Sequence, residues 1–283
     1  MQTQTETFSV AARRMQKLFT GSKVLLTVEN RVATLVLRDE ARMNAMDVTM
    51  GKEFLQAVDA VKESAPEIGS LVLRGAGSAF SAGGDMEFLH ARAKDTPVNN
   101  AKVMREFYAR FLSVRTVHCP TIAAINGAAV GAGLCVALAC DLRITTKTAK
   151  MGVTFSSLGL HPGMGCTHFL PLAVGQQQAA RLIFTGELIS GEEAEKIGMC
   201  LTAVDGDAEA CVKHATSLAL KIANSGPIPV QGSVKSLRTK QDIGLDQALQ
   251  READAQAQSY ASQDYLVGLK AIAEKKKPVF SGL

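Results

Sequence analysis

The sequence lacks the features that mark several classes of protein. It contains no tryptophan, aromatic residues make up only 5% of its 283 residues, and its six cysteines include no Cys-x-x-Cys pair. Metal-ligand and redox spacings are therefore missing, and a disulfide framework is not expected in a chain of this length. The most apolar stretch, residues 121–140, is interrupted by Asn126 and three glycines. It falls short of the roughly 18 continuous apolar residues that a membrane-spanning helix needs.

The chain also has no large excess of charge of either sign. The chain has 31 Lys and Arg residues against 27 Asp and Glu residues, which gives a formal net charge of +4. A nucleic-acid-binding protein is expected to carry a strongly basic face, so the balance argues against a nucleic-acid partner. With 47% hydrophobic residues, the chain can bury a full core, and a soluble globular protein of one large domain is predicted.

Residues 1–23 differ from the rest of the chain and are interpreted as an N-terminal extension. Apolar residues recur there at helical spacing, basic residues occupy another face, and only Glu6 is acidic: Phe8, Ala11, Met15 and Leu18 against Arg13, Arg14 and Lys17. A basic, acid-poor amphipathic segment predicts mitochondrial targeting. The alternatives are a surface helix or tail on a cytoplasmic protein. A peroxisomal address is less well supported, because Ser281-Gly282-Leu283 lacks the basic middle residue of that signal.

Strand-like and helical patterns alternate over residues 24–206. Runs at 24–28 and 32–37 read as a hairpin, Asp47 can cap a helix over 48–62, and a second helix is predicted over 101–114. From residue 207 to 283 the pattern is almost wholly helical. These patterns predict an α/β core over 24–206 followed by a helical C-terminal part over 207–283.

Small residues are concentrated at two points where a strand meets a helix, residues 81–85 and 126–133. Neither segment matches a phosphate-binding P-loop or the spaced glycines of a dinucleotide fold. Tight turns that pack a helix onto a sheet would explain both segments structurally. Alternatively, two backbone N–H groups that converge from such helix starts make an oxyanion hole, which stabilises a thioester enolate.

Short motifs in a fixed order favour the second interpretation. They are Arg42-Met43-Asn44-Ala45-Met46, Ala82-Gly83-Gly84-Asp85, Ala124-Ile125-Asn126-Gly127 followed by Gly131-Ala132-Gly133, Ala139-Cys140-Asp141-Leu142, Gly159-Leu160-His161-Pro162-Gly163-Met164-Gly165, Phe184-Thr185-Gly186 with residues 190–194, and residues 274–280. Together they resemble the crotonase (enoyl-CoA hydratase/isomerase) superfamily over residues 24–280. The resemblance implies a spiral of ββα units with an α-helical C-terminal trimerisation part, assembled as a homotrimer or a dimer of trimers.

The resemblance also implies a substrate and a site. An acyl-CoA thioester is expected as the substrate, with no further cofactor and no metal. Its carbonyl oxygen is expected to accept hydrogen bonds from the backbone N–H groups of Ala82 and Ala132. Ala45, Gly83, Gly84 and Asp85 are expected to line the CoA site, with Asp85 holding the turn as a helix cap.

The sequence departs from the family pattern at both catalytic glutamates. Cys135 stands where the first glutamate is expected, Phe155 stands at the second, and Gly163 replaces a further aspartate of some members. A general acid or base contributes about 10²–10⁴-fold to a rate, so hydratase activity is doubtful. Cys135 and His161 are the remaining candidates for proton transfer.

The sequence therefore predicts an acyl-CoA enzyme of the enoyl-CoA hydratase/isomerase type. The alternatives are a non-catalytic acyl-CoA-binding protein and another activity of the same superfamily, an isomerase or a thioester hydrolase. RNA binding through a comb of lysines on the first helix is not supported, because only Lys52 of Val48, Lys52 and Gln56 is basic.

Overall fold

A computed structural model describes residues 15–283 of the chain. Its strands are β1 (Gln16–Thr20), β2 (Val24–Glu29), β3 (Val32–Leu37), β4 (Ser70–Gly75), β5 (Ala79–Ser81), β6 (Thr121–Ile125), β7 (Ala128–Val130), β8 (Leu142–Thr146), β9 (Lys150–Gly152), β10 (Ile189–Ser190) and β11 (Thr202–Val204). Its helices are α1 (Val48–Glu63), α2 (Met86–Ala93), α3 (Pro97–Leu112), α4 (Ala132–Ala139), α5 (Cys166–Thr185), α6 (Gly191–Lys196), α7 (Ala208–Ala223), α8 (Pro227–Gln241), α9 (Leu245–Tyr260) and α10 (Gln263–Ala273).

The strands form two sheets that the chain visits in turn. The larger sheet has the order β1-β2-β3-β4-β6-β8-β11, and the smaller has the order β10-β9-β7-β5. After each of β4, β6 and β8 in the larger sheet, the chain enters β5, β7 or β9 in the smaller sheet and then a helix. This repeat of two strands and a helix confirms the predicted α/β spiral of ββα units.

Parallel pairing determines where the site forms. β3, β4, β6, β8 and β11 are parallel neighbours, and so are β5, β7 and β9. The carboxyl ends of parallel strands meet at one edge of a sheet, where ligands commonly bind. β5 and β7 both end at that edge, and each leads into the start of a helix, α2 or α4.

Helix capping explains several of the boundaries. The Asp47 side chain accepts a hydrogen bond of 2.8 Å from the Met50 N–H, which confirms the predicted start of α1. The predicted second helix begins earlier than residue 101, because Thr96 accepts from the Asn99 N–H (3.3 Å) and caps a helix that starts with a proline. Pro97 is tolerated there, since the first turn of a helix leaves N–H groups unpaired.

Two features of the structure refine the sequence-based division of the chain. The segment from Gln16 belongs to the sheet rather than to an extension, because β1 pairs antiparallel with β2 from Gln16 opposite Val28. Helix α7, assigned to the C-terminal part, covers the outer face of the larger sheet, where Ala215 and Ala219 join a cluster with Ile122. The chain is helical from residue 208 onward, and the first of these helices packs on the α/β core.

Two of the remaining C-terminal helices, α9 and α10, contribute to the walls of the site. Helix α9 packs along α3, and α10 packs against α2. Among residues 15–283, no helix is both long enough and apolar enough to cross a membrane. The targeting-segment prediction depends largely on Phe8, Ala11, Arg13 and Arg14, which lie outside the described residues, so it stays a prediction.

Candidate active site

A cavity of about 580 Å³ lies where α2 and α4 begin. Its walls are mostly apolar and come from the turn after β5, the start of α4, helix α3, the loop after β9, and helices α9 and α10. A concave apolar space with a few polar groups is the usual form of a small-molecule site. The lining includes Ala45, Ala82, Gly83, Gly84, Asp85 and Ala132, which sequence analysis assigned to substrate binding.

The turn after β5 brings the backbone close to the start of α4. Gly83 has φ +95°, and a Cβ atom at this position would lie 2.7 Å from the Val130 carbonyl oxygen. A side chain is therefore excluded by both the conformation and the close approach. Asp85 accepts from the N–H groups of Glu87 (3.0 Å) and Phe88 (3.1 Å), which confirms its predicted role as the cap of α2.

Arg42 lies beside this turn at the cavity wall. One of its guanidinium nitrogens is 3.1 Å from the Asp85 carboxylate, and the charge of Asp85 raises the pKa of Arg42. Because the Asp85 carboxylate is committed to the helix cap and to this ion pair, it is poorly placed to take a proton from a ligand. Asp85 is thus a structural residue of the turn.

Hydrogen bonding within the turn corrects one predicted oxyanion donor. The Ala82 N–H donates to the Met43 carbonyl oxygen at 2.9 Å, so it is not available to a ligand. The Gly83 N–H is also used, since it lies 3.2 Å from Ser81 Oγ. The Gly84 N–H, in contrast, has no acceptor among residues 15–283. The free donor of this turn is therefore Gly84 and not Ala82.

The second predicted donor, Ala132, is the first residue of α4. The N–H groups of the first helical turn have no partner within their helix, and the Ala132 N–H has no other acceptor in the described part of the chain. Gly131 precedes it with φ 53° and ψ −122°, a combination that glycine adopts readily. The helix dipole adds partial positive charge at this point.

The turn that carries the first donor lies close to the second donor. The Cβ position of Gly83 lies only 3.6 Å from the Ala132 nitrogen, and Gly84 follows Gly83 directly. Both Gly84 and Ala132 line the cavity. Two unpaired backbone N–H groups at one apolar cavity can stabilise an oxygen atom that gains negative charge.

Cys135 does not reach the cavity. It is completely buried and is absent from the lining. Burial raises the pKa of its thiol well above the usual range, and the neighbouring Cys166 side chain raises it further. A thiol with a raised pKa stays protonated near neutral pH and cannot act as a base. The structure therefore does not support Cys135 as the proton-transfer group.

His161 also lies outside the lining. Its Nδ1 is 2.6 Å from the Pro162 carbonyl oxygen. Since a carbonyl only accepts, Nδ1 must carry the hydrogen. The His161 backbone is held as well, by Ser259 Oγ and by the Gln256 side chain. These contacts give His161 a structural role in the loop, and they do not support it as a base for a ligand in the cavity.

Phe155 does line the cavity, at the position where the second glutamate is expected. The acidic lining residues of the described chain are Asp85 and Glu87, and both belong to the turn and first residues of α2. The inner wall is formed instead by side chains from α3 and α9 and from the loop after β9. It carries no carboxylate that could act as a general acid or base.

Tyr108 and Gln256 are inner-wall residues that sequence analysis missed. Tyr108 on α3 donates a 2.7 Å hydrogen bond to Gln256 Oε1 on α9, and burial raises the pKa of Tyr108 well above its usual range. The two residues are separated by 148 positions. No local motif marks either one, because their meeting depends on how α9 packs along α3.

Glu252 is a further buried acid that the sequence patterns did not reveal. Its carboxylate accepts from the N–H groups of Gly165 (2.7 Å) and Thr167 (2.8 Å) at the start of α5. Burial raises its pKa, and these hydrogen bonds act in the opposite direction. Glu252 thus caps α5 from outside that helix and lies behind the inner wall. Residues 15–283 hold no group of three or more His, Cys, Asp and Glu side chains suited to a metal ion.

The fold is a spiral of ββα units, and it places free backbone N–H groups at an apolar cavity. Together these features identify the protein as a member of the crotonase superfamily. The sequence profile of the enoyl-CoA hydratase/isomerase family matches residues 27–282. The probable enoyl-CoA hydratase EchA14 of Mycobacterium tuberculosis is 35% identical over 253 residues, covering 88% of this chain and 96% of that protein. The chain therefore belongs to the enoyl-CoA hydratase/isomerase family and is an enzyme of that type.

Two further comparisons agree with this assignment. The mitochondrial methylglutaconyl-CoA hydratase of Mus musculus is 31% identical over 261 residues, covering 91% of this chain and 82% of that protein. The crystal structure of an enoyl-CoA hydratase/isomerase from Xanthobacter autotrophicus Py2 superimposes with a TM-score of 0.81 at 27% identity, covering 90% of this chain and 94% of that one.

Proposed function

We propose that this enzyme binds an acyl-CoA thioester with the carbonyl oxygen held between the N–H groups of Gly84 and Ala132. The observation that carries the proposal is that both groups lie at the cavity and lack an acceptor among residues 15–283. Nearby N–H groups of the same turn, those of Ala82 and Gly83, already have partners. A thioester oxygen would complete the hydrogen bonding of both free donors.

The chemistry that follows is enolate stabilisation. When a water molecule from solvent takes a proton from the α-carbon of a thioester, negative charge develops on the carbonyl oxygen. Donors that are already in position stabilise this charge more than that of the neutral ground state. The N-terminal end of the α4 dipole adds to the effect at Ala132.

Water addition by two carboxylates is not part of the proposal. Cys135 is buried behind the wall, and Phe155 presents an apolar ring where an acid would be needed. We therefore propose that hydratase turnover is slow, and that the reaction is one in which thioester polarisation contributes most, a double-bond shift or thioester hydrolysis.

A second candidate function is non-catalytic acyl-CoA binding. The lack of a carboxylate on the inner wall of the cavity favours this second candidate. The N–H pair would then serve affinity alone, because each hydrogen bond contributes about 1 kcal/mol to binding.

Proton exchange in heavy water separates the two candidates. Crotonyl-CoA and a 3-enoyl-CoA are incubated with the enzyme in D2O, and product and deuterium at the α- and γ-carbons are followed by mass spectrometry. Deuterium uptake supports an enzyme that forms the enolate. Absence of both exchange and product, with binding of the esters retained, supports the non-catalytic candidate. If neither ester binds, the proposal as a whole fails.

Self-association is a further part of the proposal, as a homotrimer or a dimer of trimers. Large apolar side chains are exposed on the monomer, and such residues often mark contacts between subunits: Leu172, Phe184, Leu188, Leu201, Ile228, Leu237 and Ile243. Light scattering coupled to gel filtration measures the mass directly. A single species near the 30.0 kDa of one chain would contradict this part.

A mitochondrial location is also proposed, supported by the basic, acid-poor composition of residues 1–23. Fusing these residues to a fluorescent protein and following import into isolated mitochondria tests it. A matched fusion with Arg13 and Arg14 changed to Gln should not be imported. Equal import of both fusions, or of neither, would contradict the proposal.

A further inference from the structure

A hydrogen-bonded pair of side chains closes the inner end of the cavity. Tyr108 and Gln256 both line the cavity, and they are 2% and 1% exposed. The Tyr108 hydroxyl donates to Gln256 Oε1 at 2.7 Å. The hydroxyl hydrogen of Tyr108 is therefore already used in a hydrogen bond within the protein. Neither residue contributes to the N–H pair that holds the thioester oxygen.

The orientation of the Gln256 amide is fixed by its neighbours. Nε2 lies 2.9 Å from the His161 carbonyl oxygen, which can only accept a hydrogen bond. Oε1 must therefore face the Tyr108 hydroxyl. An amide nitrogen has two hydrogens, and His161 takes one of them. The second N–H of Gln256 has no acceptor among residues 15–283, which is costly for a group so deeply buried.

Gly163 packs directly against this pair at the cavity wall. A Cβ atom at Gly163 would lie 2.7 Å from Gln256 Nε2 and closer still to the Tyr108 hydroxyl oxygen. Gly163 also lines the cavity. Any side chain at this position would displace the pair or cover the free N–H. Only glycine at this position therefore lets the Gln256 amide pack where it lines the cavity.

The charges around the pair indicate the chemistry of what it binds. Among the cavity-lining residues of the described chain, Arg42 is the only Lys or Arg, and it lies at the Asp85 turn. The buried Glu252 carboxyl is close enough for its charge to act on Tyr108. A carboxylate at the inner end would have no cation and would face this acid. Burying an unpaired charge is strongly unfavourable, whereas a neutral oxygen would accept the free N–H without that penalty.

We propose that Gln256 is a specificity-determining residue that donates its free N–H to a neutral oxygen on the acyl group, as in an oxoacyl thioester. The inference rests on the proposed function, because it requires an acyl-CoA in the cavity. It also predicts that dicarboxylic acyl groups bind poorly. The mouse relative is named for methylglutaconyl-CoA, whose acyl group carries such a second carboxylate.

Four six-carbon thioesters test this inference in the full-length protein. They are hexanoyl-CoA, 3-oxohexanoyl-CoA, 5-oxohexanoyl-CoA and adipoyl-CoA, with Kd measured by calorimetry. We expect at least one oxo ester to bind about tenfold more tightly than hexanoyl-CoA, since a tenfold change equals about 1.4 kcal/mol and matches one hydrogen bond. We expect adipoyl-CoA to bind more weakly than hexanoyl-CoA.

Variants then assign the effect to the amide. Gln256→Met removes the donor at similar side-chain length, and within this variant the oxo esters should bind to within about twofold of hexanoyl-CoA. Tyr260→Phe is the matched control. The Tyr260 hydroxyl lies 3.4 Å from Gln256 Oε1, so its removal does not alter the Nε2 donor. It should preserve the preference.

Several results would overturn the inference. They are equal binding of hexanoyl-CoA and both oxo esters by the wild-type protein, tightest binding of adipoyl-CoA, and a preference for the oxo ester that survives Gln256→Met. The wild-type comparison decides even if Gln256→Met does not fold. Failure of hexanoyl-CoA to bind is a different result, because it rejects the proposed function and this inference together.

Discussion

Replacing Ala132 with proline removes one proposed donor with little effect on the fold. Ala132 is the first residue of α4, and its N–H makes no hydrogen bond within the described chain. Proline is well tolerated at the first position of a helix, where no intrahelical bond is lost. Ala132→Pro should therefore leave the unfolding temperature nearly unchanged while it eliminates the N–H.

The expected loss can be estimated from the chemistry of the site. In the ground state one hydrogen bond to a neutral carbonyl contributes about 1 kcal/mol, so the Kd for crotonyl-CoA should rise roughly fivefold to tenfold. In a reaction that forms an enolate, removal of one donor costs about 10²–10³ in kcat. Any turnover detected in the wild-type protein should fall by that factor.

Infrared spectroscopy of crotonyl-CoA labelled with ¹³C at the thioester carbonyl measures the interaction directly. Hydrogen bonds from Gly84 and Ala132 weaken the carbonyl bond, so its stretching frequency should be lower in the bound state than in water. Ala132→Pro should reverse part of this shift, whereas Ala132→Gly, which keeps the N–H, should retain it. An unchanged frequency and Kd in a folded Ala132→Pro protein would refute the assignment of this donor.

Other substitutions test the inner wall and the stability of the fold. Cys135→Ala and His161→Ala should leave the rate of deuterium exchange within about twofold of wild type, because neither side chain lines the cavity. A large loss of exchange in either variant would restore that residue as a candidate for proton transfer. Phe155→Glu should raise exchange by about 10²-fold, while Cys135→Glu should lower the unfolding free energy by about 3–5 kcal/mol by burying an unpaired charge. Arg238→Met should cost a similar amount at pH 7, since its guanidinium binds the Asp141 carboxylate in two places.

The Arg238–Asp141 contact also has a pH dependence whose direction is fixed. Burial alone would raise the pKa of Asp141, but the hydrogen bonds and charge of Arg238 outweigh it and hold the pKa below the ordinary value of 3.8. A carboxyl with a lowered folded pKa stabilises the protein above its unfolded pKa. The stability difference between wild type and Asp141→Asn should therefore be full above about pH 4 and shrink as the pH falls further. A difference that grows on acidification would contradict this reasoning.

The fold was largely predictable from the sequence, because local signals carry it. The sequence predicts Asp47 as a helix cap, and the structure confirms it, since the Asp47 side chain accepts a hydrogen bond from the Met50 N–H. The exception is β1, whose Leu18 was assigned to a helical pattern. A short strand at a sheet edge is determined by its pairing with β2, and sequence spacing alone does not reveal that pairing.

The site was predictable only in part, for a different physical reason. The motif marked the right turn, but the choice between Ala82 and Gly84 depends on which N–H is already bonded, and the bond from Ala82 goes to Met43 in a distant segment. Tyr108 and Gln256 carry no motif at all, because they meet only through the packing of α9 along α3. Long-range contacts of this kind are not encoded in local periodicity.

The three positions that lack an acid differ in what surrounds them. Cys135 points into the core, where a carboxylate would have no partner. Phe155 faces the cavity, so only the identity of the side chain excludes an acid there. At Gly163, the Tyr108 and Gln256 side chains already occupy the space that a carboxylate would need. Restoring an acid at Gly163 would therefore require repacking α3 and α9, whereas at Phe155 a change of side chain alone would place an acid at the cavity.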